Sequence, residues 1–483
     1  MTERRRRRVG VVVLLAALGA LLAPAAIAHE STPVGVQRIE ISLGARELVL
    51  TITAPPEGGG RMPVVVLPRG DAPPGAVTLA AVPAGGTPTS PVTVPVAPAG
   101  QPHQVALDAG TPGVWDVVVA DGTQVARIPV TVAAPAPTPG WVWAVRVGAV
   151  LGIVALIAAL ALRHRPRVAV SLGAVAAVGV TVAVTAAVVA PPATSATSAA
   201  PAAPMPPAAS GGHAGHAGMA MPPADPMLPA MPMTMPAAGA VTVTARTAGP
   251  ATAGVPLDLA LDLTDSSTGA VVDDLAIHDD ALVHLAVIGP DGGLAHVHPI
   301  RTAPGRYEVR LAPSVGGRYG VFAEMERAGD GGHQVARTAV DVAGPASTAV
   351  AAPGPGGRDV AGMRAGVTAS EAVAGRPTRV GVTFTENGAP VTDLQGWLGM
   401  AGHLVLLGPG AAGVPDPGDP ASAFGHVHDM SPAGPAGTYG PEVAFEHTFA
   451  RAGRHEVWVQ VQRDWQVVTV PVTLDVAPET PSP

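Results

Sequence analysis

Short apolar runs that alternate with polar residues and end at glycine or proline are the feature that most constrains the fold of this chain. In residues 34–134 the runs read RIEISL, ELVLTI, PVVVLP, WDVVVA and IPVTVA, with turn residues between them. A period of two is typical of strands that bury one face. The 59 glycines and 54 prolines then mark turns. Residues 29–134 are therefore predicted to form an antiparallel β-sandwich domain.

Two later segments, residues 241–343 and 357–477, have the same order of parts and predict an internal repeat. Each contains an apolar strand led by a histidine, VHLAVIGP in the first copy and GHLVLLGP in the second. A turn and a His-Val-His triplet follow, in LAHVHP and FGHVHD, and the loop before the second triplet is longer. A Gly-Arg turn and two strands complete each copy. We predict that each copy is an immunoglobulin-like β-sandwich.

Three apolar segments predict membrane targeting. Residues 1–28 have a basic run, an apolar run and a small-residue end, which is typical of a secretory signal peptide, with an uncleaved anchor as the alternative. Residues 141–162 and 168–190 are each long enough to cross a bilayer as a helix. The connector RHRPR carries three arginines and is expected in the cytoplasm. The predicted protein is a multi-pass cell-membrane protein with its soluble domains on the extracytoplasmic side.

The predicted fold class is thus mainly β, with three immunoglobulin-like β-sandwich modules plus a transmembrane helical hairpin. Residues 191–240 are rich in proline, alanine and glycine and are predicted to be a flexible linker. Seven of the 13 methionines lie in this linker, although a solvated segment has no packing reason to collect them. Compositional drift is the alternative explanation.

Soft donors occur close together in the linker stretch HAGHAGMAM. Thioethers suit Cu(I), and imidazoles suit copper in either oxidation state. Cleavage after Ala28 would add a histidine whose imidazole and α-amino nitrogens can chelate Cu(II). The candidate metal ligands from these two segments are His213, His216, Met219, Met221 and His29.

The His-Val-His triplets point to a metal site in each copy. Residues i and i+2 of a strand project from the same face, so the two histidines of each triplet project together. A preceding strand that starts at His284 or His403 and pairs antiparallel would bring a third imidazole to within about 5 Å. Three neutral imidazoles can hold Cu(II) or Zn(II) with one position open. The predicted ligands are His284, His296 and His298 in the first copy and His403, His426 and His428 in the second.

Further ligands are open at this point. In the first copy the candidates are His278, Asp279, Glu324 and His333, and in the second copy Met400 and Met430 would favour copper. The alternative is that the histidines cap or pack the end of a hairpin and bind no metal.

The motifs HLAVIGPDGGLAHVHP with GGRYGVFAEM, and GHLVLLGP with FGHVHD and GRHEVWVQV, resemble modules of secreted or membrane-anchored bacterial proteins, many of them actinobacterial. They are similar in style to the YtkA-like and FixH-like extracytoplasmic β-sandwiches, which are linked with copper handling. Asp429 stands where the pattern has proline. The N-terminal region resembles the CopC-type periplasmic copper carriers, and this resemblance makes His103 and Asp108 candidate ligands.

These observations predict a membrane-tethered extracytoplasmic metal-binding protein that buffers or relays copper, with zinc as the alternative metal. Its expected partners are the membrane, the metal ion and another envelope copper protein. The alternative function is an immunoglobulin-like structural or interaction protein of the surface. With no cysteine there are no thiolate sites. No catalytic motif of the hydrolase, P-loop or zinc-protease type occurs, so no enzyme is expected. The sequence contains no basic stripe with interleaved aromatic residues, so nucleic-acid binding is not expected.

Overall fold

The computed structural model describes residues 35–70, 74–96, 99–135, 140–189, 239–328, 332–346, 351–434 and 436–479. The chain divides into two compact units, of which one contains the two helices and the other contains the β-strands. The predicted signal peptide and nearly all of the predicted linker 191–240 lie outside the described residues.

The helical unit contains α1 (Gly140–Ala161) and α2 (Pro166–Val189), which pack against each other and lie within two residues of the predicted ranges. The backbones approach closely at Gly179, where an added Cβ would lie 2.7 Å from the carbonyl oxygen of Gly148. Large aliphatic side chains on the outside of the pair, such as Val154 and Val178, are exposed. Within the described residues, neither helix combines the length and the hydropathy needed to cross a bilayer. The helical hairpin is confirmed, and its transmembrane character is not found.

The N-terminal module, residues 35–133, is a sandwich of two four-stranded sheets in the orders β1-β2-β3-β6 and β5-β4-β7-β8. The five predicted strand runs correspond to β1, β2, β3, β7 and β8. Inward residues such as Ile41, Leu50 and Val117 form its core. Its strands are β1 (Val36–Leu43), β2 (Arg46–Thr53), β3 (Gly60–Arg69), β4 (Gly75–Pro83), β5 (Val92–Val96), β6 (His103–Ala109), β7 (Gly113–Ala120) and β8 (Val125–Val132).

Repeat 1, residues 239–346, has one sheet in the order β14-β15-β10-β9 and a second in the order β13-β12-β16-β17, with β11 paired to the end of β16. Its strands are β9 (Val241–Thr247), β10 (Leu257–Asp265), β11 (Leu275–Ala276), β12 (His284–Ile288), β13 (Leu294–Val297), β14 (Ile300–Ala303), β15 (Arg306–Leu311), β16 (Gly317–Arg327) and β17 (Gly332–Val342).

Repeat 2, residues 351–479, has one sheet in the order β18-β19-β20-β24, with β21 at the end of β20, and a second in the order β23-β22-β25-β26. Its strands are β18 (Gly356–Val360), β19 (Met363–Ala369), β20 (Pro377–Glu386), β21 (Ala389–Pro390), β22 (Gly402–Leu407), β23 (Phe424–Asp429), β24 (Glu442–Thr448), β25 (Gly453–Arg463) and β26 (Gln466–Val476).

The second sheets of the two repeats pack on each other, so the central strands β12 and β22 are buried along their whole length. Leu285 and Leu404 point into the cores of their own sandwiches. Alternate residues on the other face form an apolar layer between the repeats, in which Phe322 stacks on Phe424 with ring centroids 4.3 Å apart. The buried members of this layer are Ala286, Ile288, Phe322, Val405, Leu407 and Trp458.

The longer loop of repeat 2, residues 408–423, lies against repeat 1. Arg337 of β17 donates to the carbonyl oxygens of Pro420 and Ser422 at 2.8 and 2.7 Å. In the other direction, the indole of Trp458 donates to the carbonyl of Gly292 in the short turn of repeat 1 at 3.0 Å. The repeats are therefore joined on both sides of the apolar layer.

Candidate metal centre

The His-led strand and the His-Val-His strand are antiparallel neighbours in both repeats, as predicted. In repeat 1, Ala286 of β12 lies opposite His296 of β13. In repeat 2, His403 of β22 lies opposite His428 of β23. Ligand atoms of His284, His296 and His298 all lie within 4.8 Å of one another, which confirms the expected convergence in repeat 1.

The expectation of two separate sites is wrong, because the sheets that carry the histidines face each other. Ligand atoms of His296, His403 and His426 also lie within 4.8 Å of one another, and this group takes one member from repeat 1 and two from repeat 2. The ring centroids of His296 and His426 are 4.8 Å apart. The predicted ligands form a single six-histidine cluster, namely His284, His296, His298, His403, His426 and His428.

Backbone carbonyl groups set the tautomers of the two leading histidines. The Nε2–H of His284 donates to the carbonyl of His278 at 3.0 Å, and the Nε2–H of His403 donates to that of Trp397 at 3.1 Å. In both repeats the acceptor is six residues upstream. Because a carbonyl only accepts, the ring proton is on Nε2, and Nδ1 keeps the lone pair that a metal needs.

Glu324 and Gln460 occupy equivalent positions in the two repeats. Glu324 lies on β16 opposite His284, and Gln460 lies on β25 opposite His403. The sequences GVFAEMER and EVWVQVQR align these two residues, and in each sequence the polar residue follows three apolar ones. Glu324 was among the predicted extra ligands. Gln460 was missed, although this alignment contained a signal for it.

The first histidine of each His-Val-His triplet bonds to the other repeat. The Nδ1–H of His296 donates to Oε1 of Gln460 at 3.0 Å, and the Nδ1–H of His426 donates to Oε2 of Glu324 at 2.6 Å. The amide of Gln460 is held in this orientation because its Nε2 donates to Thr469 at 2.9 Å. Such partners fix the ring and direct Nε2 into the cluster.

Several ring nitrogens of the cluster are buried and have no hydrogen-bond partner among the described residues. They are Nδ1 of His284, Nε2 of His296, both nitrogens of His298 and Nε2 of His428. Leaving a buried polar group unpaired costs about 1–3 kcal/mol. Each neutral ring carries one N–H and one lone pair, so every one of these four histidines can offer one nitrogen lone pair to a cation.

His403 and His426 present two ring nitrogens to each other. Nδ1 of His403 is 3.1 Å from Nε2 of His426, and the other nitrogen of each ring already donates a proton. Two lone pairs at this distance repel unless a proton or a cation lies between them. For imidazole nitrogens about 2.0–2.1 Å from a metal, neighbouring ligands lie roughly 3 Å apart, so the spacing also suits two ligands of one ion.

Burial lowers the pKa values of five of the six histidines in the cluster, namely His284, His296, His298, His403 and His428. It lowers the pKa of His284 to about 4, and the neighbouring His426 ring adds to this effect. The same causes lower the pKa of His428 to about 4. Burial also holds the pKa values of His296, His298 and His403 well below the ordinary value. At neutral pH these imidazoles are therefore in the form that binds metals.

Glu324 supplies the negative charge next to the cluster. Burial opposes its ionisation, but hydrogen bonds from His333 and His426 outweigh burial and lower its pKa. The hydrogen bond to Glu324 raises the pKa of His333 in return. The carboxylate is thus ionised and polarises His426.

The N-terminal module closes the cluster. The amide of Ser42 donates to the carbonyl of His298 at 2.8 Å, and the amide of His298 donates to Oγ of Ser42 at 3.0 Å. The indole of Trp397 donates to Glu40 at 3.1 Å, and its ring centroid lies 4.9 Å from that of His296. Ser42, Glu40 and Trp397 were not predicted, since no local pattern links segments this distant in sequence.

A cavity of about 700 Å³ lies where the three modules meet, lined by residues such as Arg38, Asp279 and Leu398. Oδ2 of Asp279 is 3.2 Å from Nδ1 of His428. An acidic side chain of the cavity wall therefore contacts the six-histidine cluster directly.

The other candidate ligands have different positions. His278 is a neighbour of the cluster and contacts Glu326 and Asp279 at 2.9 and 3.0 Å. Met400 is buried and lines the cavity, whereas Met430 is 76% exposed. His103 and Asp108 lie on β6, where Asp108 is paired with Arg61 at the surface. The candidates outside the described residues are His213, His216, Met219, Met221 and His29.

Among families of known sequence, a match is found for repeat 2, which carries three of the six histidines of the cluster. A family model described as a domain of unknown function (DUF8832) matches residues 358–478, which correspond to repeat 2. No curated protein matches the chain.

Solved structures give distant matches. A tetra-tandem repeat from the extending region of a large adhesion protein is 9% identical, with 86% of this chain and 70% of that chain covered and a TM-score of 0.16. An alpha-2-macroglobulin mutant from Salmonella is 10% identical, with 86% and 22% covered and a TM-score of 0.17. Fibronectin(III)-like modules of Clostridium thermocellum CbhA are 15% identical, with 49% and 94% covered and a TM-score of 0.14. At such TM-scores these matches carry no argument about this chain.

Proposed function

We propose that this protein binds a transition-metal cation in the six-histidine cluster and serves to buffer or relay that metal. Copper is the favoured metal and zinc the alternative. The observation that carries the proposal is the group of buried, neutral imidazoles whose ring nitrogens lack hydrogen-bond partners within the described chain. Imidazole sets of this kind suit Cu(II) and Zn(II).

A purely structural role fits the same residues less well. Histidines that only cap or pack a hairpin are expected to satisfy their ring nitrogens, because each unpaired buried group costs about 1–3 kcal/mol. Here the backbone carbonyls of His278 and Trp397 hold the outer nitrogens, and the inner nitrogens face one another. A bound cation would use those lone pairs and remove that cost.

The position of the ligands implies that metal binding also joins the repeats. An ion held by His296, His403 and His426 has ligands on both sides of the boundary between repeat 1 and repeat 2. Its binding free energy therefore adds to the stability of the docked repeats. The cavity next to Asp279 offers an acidic approach for a cation.

Equilibrium dialysis of the full-length chain against Cu(II) and, separately, Zn(II) tests the proposal. We expect the variant His296→Ala/His403→Ala/His426→Ala to lose at least one tightly bound equivalent of metal. The matched control is His447→Ala/His455→Ala, which removes two histidines of repeat 2 outside the cluster and is expected to keep that equivalent.

A third variant distinguishes copper bound by the linker from copper bound by the cluster. It is His213→Ala/His216→Ala/Met219→Ala/Met221→Ala. Circular dichroism checks that each variant is folded, and His296→Gln with His428→Gln replaces the triple variant if that one unfolds. Equal metal uptake by the cluster variant, its control and the original protein would eliminate the proposed function.

We further infer that the three modules belong to the immunoglobulin-like class. In repeat 1 the sheets β14-β15-β10-β9 and β13-β12-β16-β17 divide the strands as immunoglobulin domains do. The extracytoplasmic, membrane-tethered location stays a prediction from the sequence, and metal binding in the cluster does not depend on it.

A further inference from the structure

A second set of potential ligands lies on the N-terminal module, on the far side of His298. In the antiparallel pair β1 and β2, Ser42 lies opposite Glu47. Glu40 and Ser42 are two residues apart and share one face of β1, while Ile39 and Ile41 point into the core. In an isolated module this polar face would be in water. Here the two repeats cover it, and Glu40 is only 3% exposed.

The geometry of this face suits a cation. One carboxylate oxygen of Glu40, one of Glu47 and one ring nitrogen of His298 all lie within 4.8 Å of one another. Oε2 of Glu40 accepts no hydrogen bond among the described residues, and neither nitrogen of the buried His298 ring has a partner there. Nδ1 of His298 is 3.9 Å from Oε1 of Glu40.

The charge balance leaves one carboxylate uncompensated. Arg69 lies 3.5 Å from Glu40, and both side chains are 3% exposed. No second cationic group contacts Glu47 in the described chain, and its Oε2 accepts only the hydroxyl of Ser42 at 2.9 Å. Burial raises the pKa of Glu47 to about 8, and the negative charge of the neighbouring Glu40 adds to this effect. Either a proton or a metal cation is needed to make the buried pair favourable.

We propose that Glu40, Glu47 and His298 form a second cation site, next to the six-histidine cluster, for a divalent first-row metal that accepts oxygen ligands, such as Mn²⁺, Fe²⁺ or Zn²⁺. Two carboxylates and one imidazole are a harder ligand set than the all-imidazole cluster. His298 belongs to both groups of potential ligands. A metal ion that binds Glu47 replaces the proton of its carboxyl group, and that proton is released to solvent.

Titration of the metal-free full-length protein with Mn²⁺, followed by electron paramagnetic resonance, tests this site. Mn²⁺ is the probe because imidazole sites bind it weakly compared with copper or zinc. We expect one equivalent of Mn²⁺ to bind and Glu47→Gln to weaken that binding at least tenfold. Glutamine has the shape of the protonated carboxyl and keeps the acceptor for Ser42, so this variant is expected to fold. Glu446→Gln, at an exposed position of β24, is the matched control.

Copper and Mn²⁺ binding by two variants distinguish this second site from the proposed function of the cluster. His403→Ala/His426→Ala is expected to lose cluster copper while Mn²⁺ binding persists, and Glu47→Gln is expected to keep cluster copper. Equal Mn²⁺ binding by Glu47→Gln and the original protein would overturn the second site and show that only a proton occupies it. Mn²⁺ binding that is lost in the histidine variant but kept in Glu47→Gln would also overturn it, because the ion would then lie in the cluster.

Discussion

Repeat 1 and repeat 2 place their histidines on equivalent strands, yet they surround them with different charges. The strand beside His284 carries the ionised Glu324, whereas the strand beside His403 carries the neutral Gln460. Each of these residues accepts a hydrogen bond from the first triplet histidine of the other repeat. The triplet histidine of repeat 2 therefore bonds to a carboxylate of repeat 1, whereas the triplet histidine of repeat 1 bonds only to an amide of repeat 2. The comparison teaches that the two copies have complementary parts in one centre.

The largest expected effect is that of acid on the metal-free protein. The pKa values of His284 and His428 are about 4 in the folded state against an ordinary 6.5. Between these values the unfolded chain binds more protons, so the free energy of unfolding falls as the pH is lowered from 6.5 to 4. Each histidine contributes about 1.4 kcal/mol per pH unit within that window, and neither contributes a slope above it.

Urea unfolding at a series of pH values measures this slope. His284→Gln and His428→Gln are each expected to reduce it by a similar amount, because the two positions have the same pKa. A slope that responds to only one of the two variants would show that these two histidines do not titrate alike.

The apolar layer between the repeats gives the next effect. Phe322→Ala and Trp458→Ala are each expected to lower the free energy of unfolding by about 3–5 kcal/mol. The effect of Trp458→Ala is expected to be larger, since that variant also loses the hydrogen bond to Gly292. Denaturant unfolding followed by circular dichroism measures both, with Val467→Ala at an exposed position as the control. A larger loss of unfolding free energy for Phe322→Ala than for Trp458→Ala would contradict this expected order.

Exchange of the two acceptors tests the charge difference directly. Glu324→Gln removes the carboxylate that polarises His426 and is expected to weaken metal binding about 10–100-fold. Gln460→Glu gives His296 a carboxylate partner and is expected to strengthen binding. Competition with a chelator of known affinity measures both changes. Equal and small effects would mean that the two acceptors only orient their rings.

The smallest effect is expected at Asp429, where repeat 2 departs from the proline of repeat 1. Its carboxylate accepts the amides of Ser431 and Ala444 at 2.9 and 2.8 Å, which accounts for an acidic residue at this place. Asp429→Asn is expected to cost about 1 kcal/mol of unfolding free energy and to leave metal affinity unchanged. A change in metal affinity, measured by the same competition assay, would place Asp429 among the groups that tune the centre.

Local patterns predicted much of the fold and half of the centre. Alternation predicted five strands of the N-terminal module and missed β4, β5 and β6. In β4, GAVTLAAVP mixes small residues on both faces. The period of two and the hairpin connection were enough to bring His284, His296 and His298 together. These are short-range properties of the backbone, and sequence patterns report them well.

The merging of the two trios was not predicted, because it depends on the packing of two sheets. A signal was present in HLAVI and HLVLL, since strands without polar alternation are typical of sheets that are covered on both faces. The contacts of Glu40 with Trp397 and of Ser42 with His298 join residues more than 250 positions apart. No spacing rule connects such residues, so only the tertiary structure reveals them.

Each repeat supplies the hydrogen-bond acceptor for a histidine of the other repeat, and this has a consequence for related modules. The matched family model spans repeat 2 alone, so a chain built from one such unit would have half of the six-histidine cluster, with its first triplet histidine lacking the acceptor that repeat 1 supplies here. The present chain supplies both halves within one polypeptide, with a glutamate as acceptor in one repeat and a glutamine in the other.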